Sequence, residues 1–193
     1  MRIFLKLFCV LFMFCAGVFA QEEKAEAGNV IAWNLERLPI INGEFQDSSL
    51  HGRSLRWANR AKPFKYALKV YNEGVELINT ANGDTAQENM GLFMVLMSYY
   101  HMTEMIMQMR MWATHPIAAK SVGRKIADEK NAAFIEFAET RFSEEQMQIF
   151  VELREQVHKG GKPLVNSSRR KIKKPYNKYF PLFAEAEAAR TAK

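Results

Sequence analysis

Met97, His101 and Met105 stand at i, i+4 and i+8 of one helical stripe, two thioethers and an imidazole whose donor atoms suit Cu(I). The same trio would offer haem an axial histidine and methionine, although the chain has no C-x-x-C-H attachment sequence. The stripe belongs to MGLFMVLMSYYHMTEMIMQMRM, residues 90–111, which holds eight of the 11 methionines. On a helical wheel Met97, Met90, Met94, Met105, Met109 and Met102 share an arc of about 140°. Leu92, Phe93, Val95, Leu96, Tyr100, Ile106 and Trp112 cover most of the remaining circumference. A helix apolar nearly all round is an enclosed one. Methionine is also an adaptable filler of core gaps and a partner for aromatic rings. The expected role of the stripe is therefore core packing, with His101 the residue that keeps metal capture open.

Other catalytic or metal-binding patterns are thin. Glu155-Gln156-Val157-His158 has the E-x-x-H spacing of carboxylate-bridged di-iron bundles, but no second copy accompanies it. His158 instead suits a polar or cationic position near a helix C-terminus. His51 and His115 lack a carboxylate at ligand spacing, and there is no G-x-S-x-G elbow, H-E-x-x-H pair or phosphate-cradling glycine loop. The expectation is a protein that binds rather than catalyses, with no cofactor.

Charge is the stronger signal. From Asp47 to Glu73 the sequence holds Arg53, Arg56, Arg60, Lys62, Lys65 and Lys69 with no acid between them. From Glu155 to Glu185 it adds Lys159, Lys162, Arg169, Arg170, Lys171, Lys173, Lys174 and Lys178, again without an acid. A fold that joins the two runs would present a cationic surface built from Arg53, Arg56, Arg60, Lys62, Lys65, Arg169, Arg170, Lys171, Lys173, Lys174 and Lys178. Such a surface suits an anionic component of a cell envelope or an acidic protein. Nucleic acid is the least expected partner of an exported chain.

Export is the reading of the first 20 residues. Arg2 and Lys6 form a basic start, residues 7–14 are apolar, and Val18 and Ala20 put small side chains at −3 and −1 of a cleavage site. The stretch is short for a membrane span and is interrupted by Lys6. Both cysteines, Cys9 and Cys15, fall within it, so the processed chain would have no thiol. An exported domain of this size without disulfides fits a bacterial periplasm, or secretion from another host.

The stretch FSEEQMQIFVELREQ resembles the L-T-x-x-Q helix start of the periplasmic stress chaperones and metal sensors of the Spy and CpxP type, with Phe142 for Leu, Ser143 for Thr, and Gln146 matching. The resemblance implies an exported all-helical chain with a cradle-like chaperone surface or a metal-sensing role. Ser-Glu-Glu-Gln is equally the sequence of a helix capping box.

The elements that must position these residues are helices. Breaks at Ala61-Lys62-Pro63, Asn82-Gly83, His115-Pro116 and Gly160-Gly161 divide the chain into helices over about 47–61, 64–81, 85–114, 116–140 and 143–159. A short sixth is expected near 181–191. The expected fold class is all-α: a leader (1–20), a polar lead and irregular arm (21–46), and one antiparallel helical bundle (47–193) of about five main helices, with the basic stretch before residue 181 an irregular tail segment.

Overall fold

A 30-residue helix with no polar side dictates the architecture, because water cannot face any of its long flanks without contacting hydrocarbon. The computed structural model describes residues 40–41, 44–45, 60–160 and 162–192. The chain divides into two units, Met1–Asn42 and Gly43–Lys193. The described part of the first is the extended dipeptide β1 (Ile40–Ile41). The second carries β2 (Glu44–Phe45), α1 (Lys62–Thr80), α2 (Thr85–Thr114), α3 (Ala119–Arg141), α4 (Glu144–His158), a 3-10 turn (Leu164–Asn166) and α5 (Arg170–Thr191). It is an all-α bundle.

Short connections make neighbours antiparallel. Asn82 and Gly83 both take positive φ, 48° and 94°, and reverse the chain between α1 and α2. Asp84 then caps α2, its carboxylate accepting from the Ala86 and Gln87 amides at 3.0 and 3.1 Å. Ser143 and Gln146 form a reciprocal capping box at the head of α4. The Ser143–Gln146 stretch that resembles the chaperone motif is thereby accounted for as helix initiation.

The methionine helix lies at the centre, as its sequence requires. Met97, Met102 and Met105 have no solvent exposure, and Phe93, Leu96 and Tyr100 are equally enclosed. Where α1 and α3 meet it, glycines let backbones touch. A Cβ added at Gly91 would stand 2.7 Å from the Gly74 carbonyl oxygen, and one at Gly123 would stand 2.6 Å from the Gln108 amide nitrogen. An aromatic cluster joins α2 to α5: Phe93 and Phe183 stack at 4.0 Å, with Phe142 edge-on to Phe183 at 5.1 Å.

Two expectations need correction. The basic stretch after Gly161 is no irregular tail but a helix from Arg170, with Pro175 and Pro181 inside it. Each proline removes one amide donor, freeing the carbonyls of Lys171 and Asn177. Asn177 and Pro181 are exposed and Lys171 and Pro175 half-buried, so water can reach the freed oxygens, while Ile172, Tyr176, Tyr179 and Phe183 bury the opposite face. The helix expected from residue 116 begins at Ala119, because residues 116–118 form a turn. The helix expected over 47–61 lies outside the described residues apart from its last two, as does most of the 21–46 arm.

Gly91→Ala and Gly123→Ala test the close approaches. Helix propensity alone favours alanine by roughly 1 kcal/mol, but the added methyl collides with backbone on the neighbouring helix. Each variant is expected to lose about 1–3 kcal/mol in urea unfolding. A gain in stability would show that the helices can separate freely.

Candidate functional site: a cationic groove and a polar core

Helices α1 and α5 begin at the same end of the bundle, and this brings the two basic runs together. A groove of about 630 Å³ is lined by Lys62, Lys65, Tyr66, Lys69, Ser168, Arg169 and Arg170, without an acidic residue in its walls. Arg169 lies over the Tyr66 ring at 4.9 Å, a cation–π contact that fixes a guanidinium across the seam between α1 and α5. The positive ends of two helix dipoles add to the same potential. Lys69 is partly engaged, with Glu73 at 3.0 Å on the same exposed face.

A second groove of about 470 Å³ runs along α5, lined by Gln156, Arg170, Lys171, Lys174, Pro175, Lys178 and Tyr179. Arg170 borders both. Lys178 rests over the Tyr179 ring at 4.7 Å. Lys171 turns inward: its ammonium donates to the Lys159 carbonyl, and Lys120 donates to the Gly160 carbonyl beside it. Burial and the neighbouring Lys120 cation hold the Lys171 ammonium below the usual lysine range. Those two lysines therefore close the C-terminal end of α4.

Of the residues expected from sequence, the structure brings Lys62, Lys65, Arg169 and Arg170 into one groove and Lys171, Lys174 and Lys178 into its neighbour. Lys173 is exposed on α5, and Arg60 is exposed just before α1. Arg53 and Arg56 lie outside the described residues. Tyr66 and Ser168 were not legible as site residues, since neither carries charge and their proximity depends on helix packing.

Acids collect at the other end. Exposed Asp84, Glu139, Glu144, Glu145 and Glu185 sit where α2 and α4 begin and toward the ends of α3 and α5. There Glu187 of α5, only 2% exposed, gathers Asn89 of α2 at 3.0 Å, Gln146 of α4 at 2.6 Å and Arg190 at 2.6 Å. Burial acts to raise the Glu187 carboxyl, but the donors from Arg190, Gln146 and Asn89 together hold it below the usual carboxylate range. Arg141 ties α3 into the same cluster through Glu88 at 3.1 Å and Asn89 at 3.0 Å.

Between the ends, α2 carries a ladder of enclosed polar side chains. His101 Nδ1 meets the Tyr176 hydroxyl at 2.7 Å, and that hydroxyl donates to the Met97 carbonyl at 3.2 Å. Nε2 has no hydrogen-bond partner among the described residues. One turn on, the buried Glu104 carboxylate accepts from Gln108 at 2.6 Å and meets His158 Nδ1 at 3.0 Å. Gln108 then accepts from the Leu164 amide at 2.6 Å. The E-x-x-H pair is thus divided, His158 to Glu104 and Glu155 to Arg124. No group of three or more His, Cys, Asp or Glu side chains among the described residues could hold a metal ion. Met97, His101 and Met105 are all fully enclosed.

Comparison with protein-family models, curated proteins and solved structures gave no match to this chain.

Desolvation by burial pushes the His101 imidazole down to about 3, against the opposing hydrogen bond with the Met97 backbone. Its folded value lies below the unfolded one, so the unfolded chain binds a proton that the folded chain refuses. Stability conferred by the neutral imidazole is complete above about pH 6.5 and falls as pH drops toward 3. Glu187, held low, loses its contribution only in the more acidic carboxylate range. Between pH 6.5 and 5 the wild type is therefore expected to lose stability more steeply than His101→Gln, by a difference approaching about 1.4 kcal/mol per pH unit. Chemical denaturation across that interval measures it; equal slopes would place the imidazole in contact with water.

Proposed function

We propose that this protein is a binding protein that engages an anionic partner through the cationic groove between α1 and α5. One observation carries the reading: Lys62, Lys65 and Lys69 stand at least 100 residues before Arg169 and Arg170 in the sequence, yet they line one cavity without an acid. Like charges repel at this range, so the fold accepts an unfavourable local potential. A bound anion removes that repulsion. We also propose export, to a periplasm in a bacterial host, on the basic start, apolar run and small residues at 18 and 20.

A second reading has a specific observation in its favour. His101 Nε2 is fully buried and lacks a hydrogen-bond partner among the described residues, on a helix whose neighbouring turns hold Met97 and Met105. Those donors fit a soft monovalent ion. Elemental analysis of protein from its own host decides this reading: stoichiometric copper abolished by His101→Ala would support it, and metal-free protein would remove it.

The groove is tested on an immobilised phosphate polymer. Lys65→Glu with Arg169→Glu should weaken retention at least about tenfold at moderate salt and flatten its salt dependence. Lys125→Glu with Lys130→Glu makes the same change in net charge on α3 and should have a much smaller effect. Equal losses from both pairs would show that net charge, not the groove, governs retention.

A further inference from the structure

The cationic end of the bundle also carries exposed hydrocarbon. Helix α2 has 30 residues, α1 has 19 and α3 has 23, so α2 is roughly 16 Å longer than α1 and roughly 10 Å longer than α3. Its last turn carries Trp112, 46% exposed, and the following turn carries Ile117, fully exposed. His115 and Pro116 between them are exposed as well. This turn shares its end of the bundle with the groove. Three hydrogen-bonded contacts place it there: Gln108 to the Leu164 amide, Glu104 to His158, and Lys120 to the Gly160 carbonyl.

The turn is also part of a third stretch without acids. From residue 105 to 124 the sequence has Arg110, Lys120 and Arg124 and no Asp or Glu. The acids nearest this end are already engaged: Glu155 with Arg124, Asp128 with Arg154 at 3.1 Å, and Glu104 with His158. A free polyanion in water gives no reason to expose an isoleucine and a tryptophan beside its cations. An anionic bilayer does, because phosphates lie at one level and hydrocarbon begins a few ångströms below. Tryptophan is suited to that boundary, with an apolar ring and one N–H donor.

Resting on the anionic-partner reading above, we propose that this end docks on an anionic lipid bilayer, with Ile117 and Trp112 entering the boundary between headgroups and acyl chains while Lys62, Lys65, Arg169 and Arg170 meet headgroup phosphates. The protein lies on the surface. No helix among the described residues is long and apolar enough to cross a membrane.

The test uses the full chain, sedimented with phosphatidylcholine vesicles with or without phosphatidylglycerol, and titrated in parallel with inorganic polyphosphate. Wild type is expected to bind the phosphatidylglycerol vesicles and only weakly the neutral ones. Trp112→Ser with Ile117→Ser should lose at least about tenfold in vesicle partitioning and keep its affinity for polyphosphate. Ile117→Asn alone, at a fully exposed position, should lose severalfold and reads the same contact if the double variant folds poorly. Lys65→Glu with Arg169→Glu should lose both ligands. Wild-type binding to polyphosphate but not to vesicles would overturn the bilayer proposal and leave the groove reading standing. Vesicle binding undiminished in both tip variants would overturn the insertion of the tip, and absence of binding to either ligand would overturn both readings.

Discussion

Enclosure of α2 is the constraint from which the other features follow. Thirty residues without a polar flank must be surrounded, and α1, α3 and α5, with the 3-10 turn, supply the surrounding surface. Enclosure at close range requires glycine where backbones touch, at 74, 91 and 123. It also means that polar groups on α2 can be satisfied only inside protein, and most are, with His101 Nε2, Thr103 Oγ1 and Glu104 Oε2 left without a hydrogen-bond partner among the described residues. Asn89, Ser98, His101, Glu104 and Gln108 are all buried, and each bonds to backbone or to a side chain. Ser98 bonds to its own helix, but the other four have partners on α4, α5 or the 3-10 turn, so these polar groups fix the register of the neighbours. A purely apolar helix would leave that register to packing alone.

The two ends of the bundle use charge in opposite ways. At the acidic end, Glu187 sits among donors from α2, α4 and its own helix, and Arg141 reaches in from α3; the charges are consumed by one another. At the basic end, Arg169 rests on Tyr66 and Lys171 on a carbonyl, but Lys62, Lys65 and Arg170 face a cavity with no carboxylate in its walls. The buried carboxylate of Glu187 is matched by the donors around it, whereas the groove cations have no carboxylate in the groove walls to match them.

Sequence patterning made much of this legible, and the exceptions have physical causes. The all-round apolarity of residues 90–111 announced a central helix, and Asn82-Gly83, Asp84 and Ser143 marked breaks and starts because their backbone or capping chemistry is local. Helix α5 was hidden by Pro175 and Pro181. Its buried stripe of Ile172, Tyr176, Tyr179 and Phe183 has helical spacing, but proline weighs against a helix unless the freed carbonyls can reach water, and only the packed bundle shows that they can. The basic runs were visible as composition; their meeting was not. That depends on α1 and α5 starting at one end, which follows from the number of reversals between them. Tyr66 and Ser168 join the groove only through that geometry.

Segregation of cations and acids to opposite ends has a consequence before any contact is made. The described helices, with groove cations at one end and exposed Asp84, Glu139, Glu144, Glu145 and Glu185 at the other, carry a permanent dipole moment along the helix direction. In the field of a negatively charged sheet that dipole experiences a torque that turns the positive pole forward while the two are still separated by about a screening length, roughly 10 Å at moderate ionic strength. For the anionic partner proposed above, such a torque would bias encounters toward the orientation in which the groove leads.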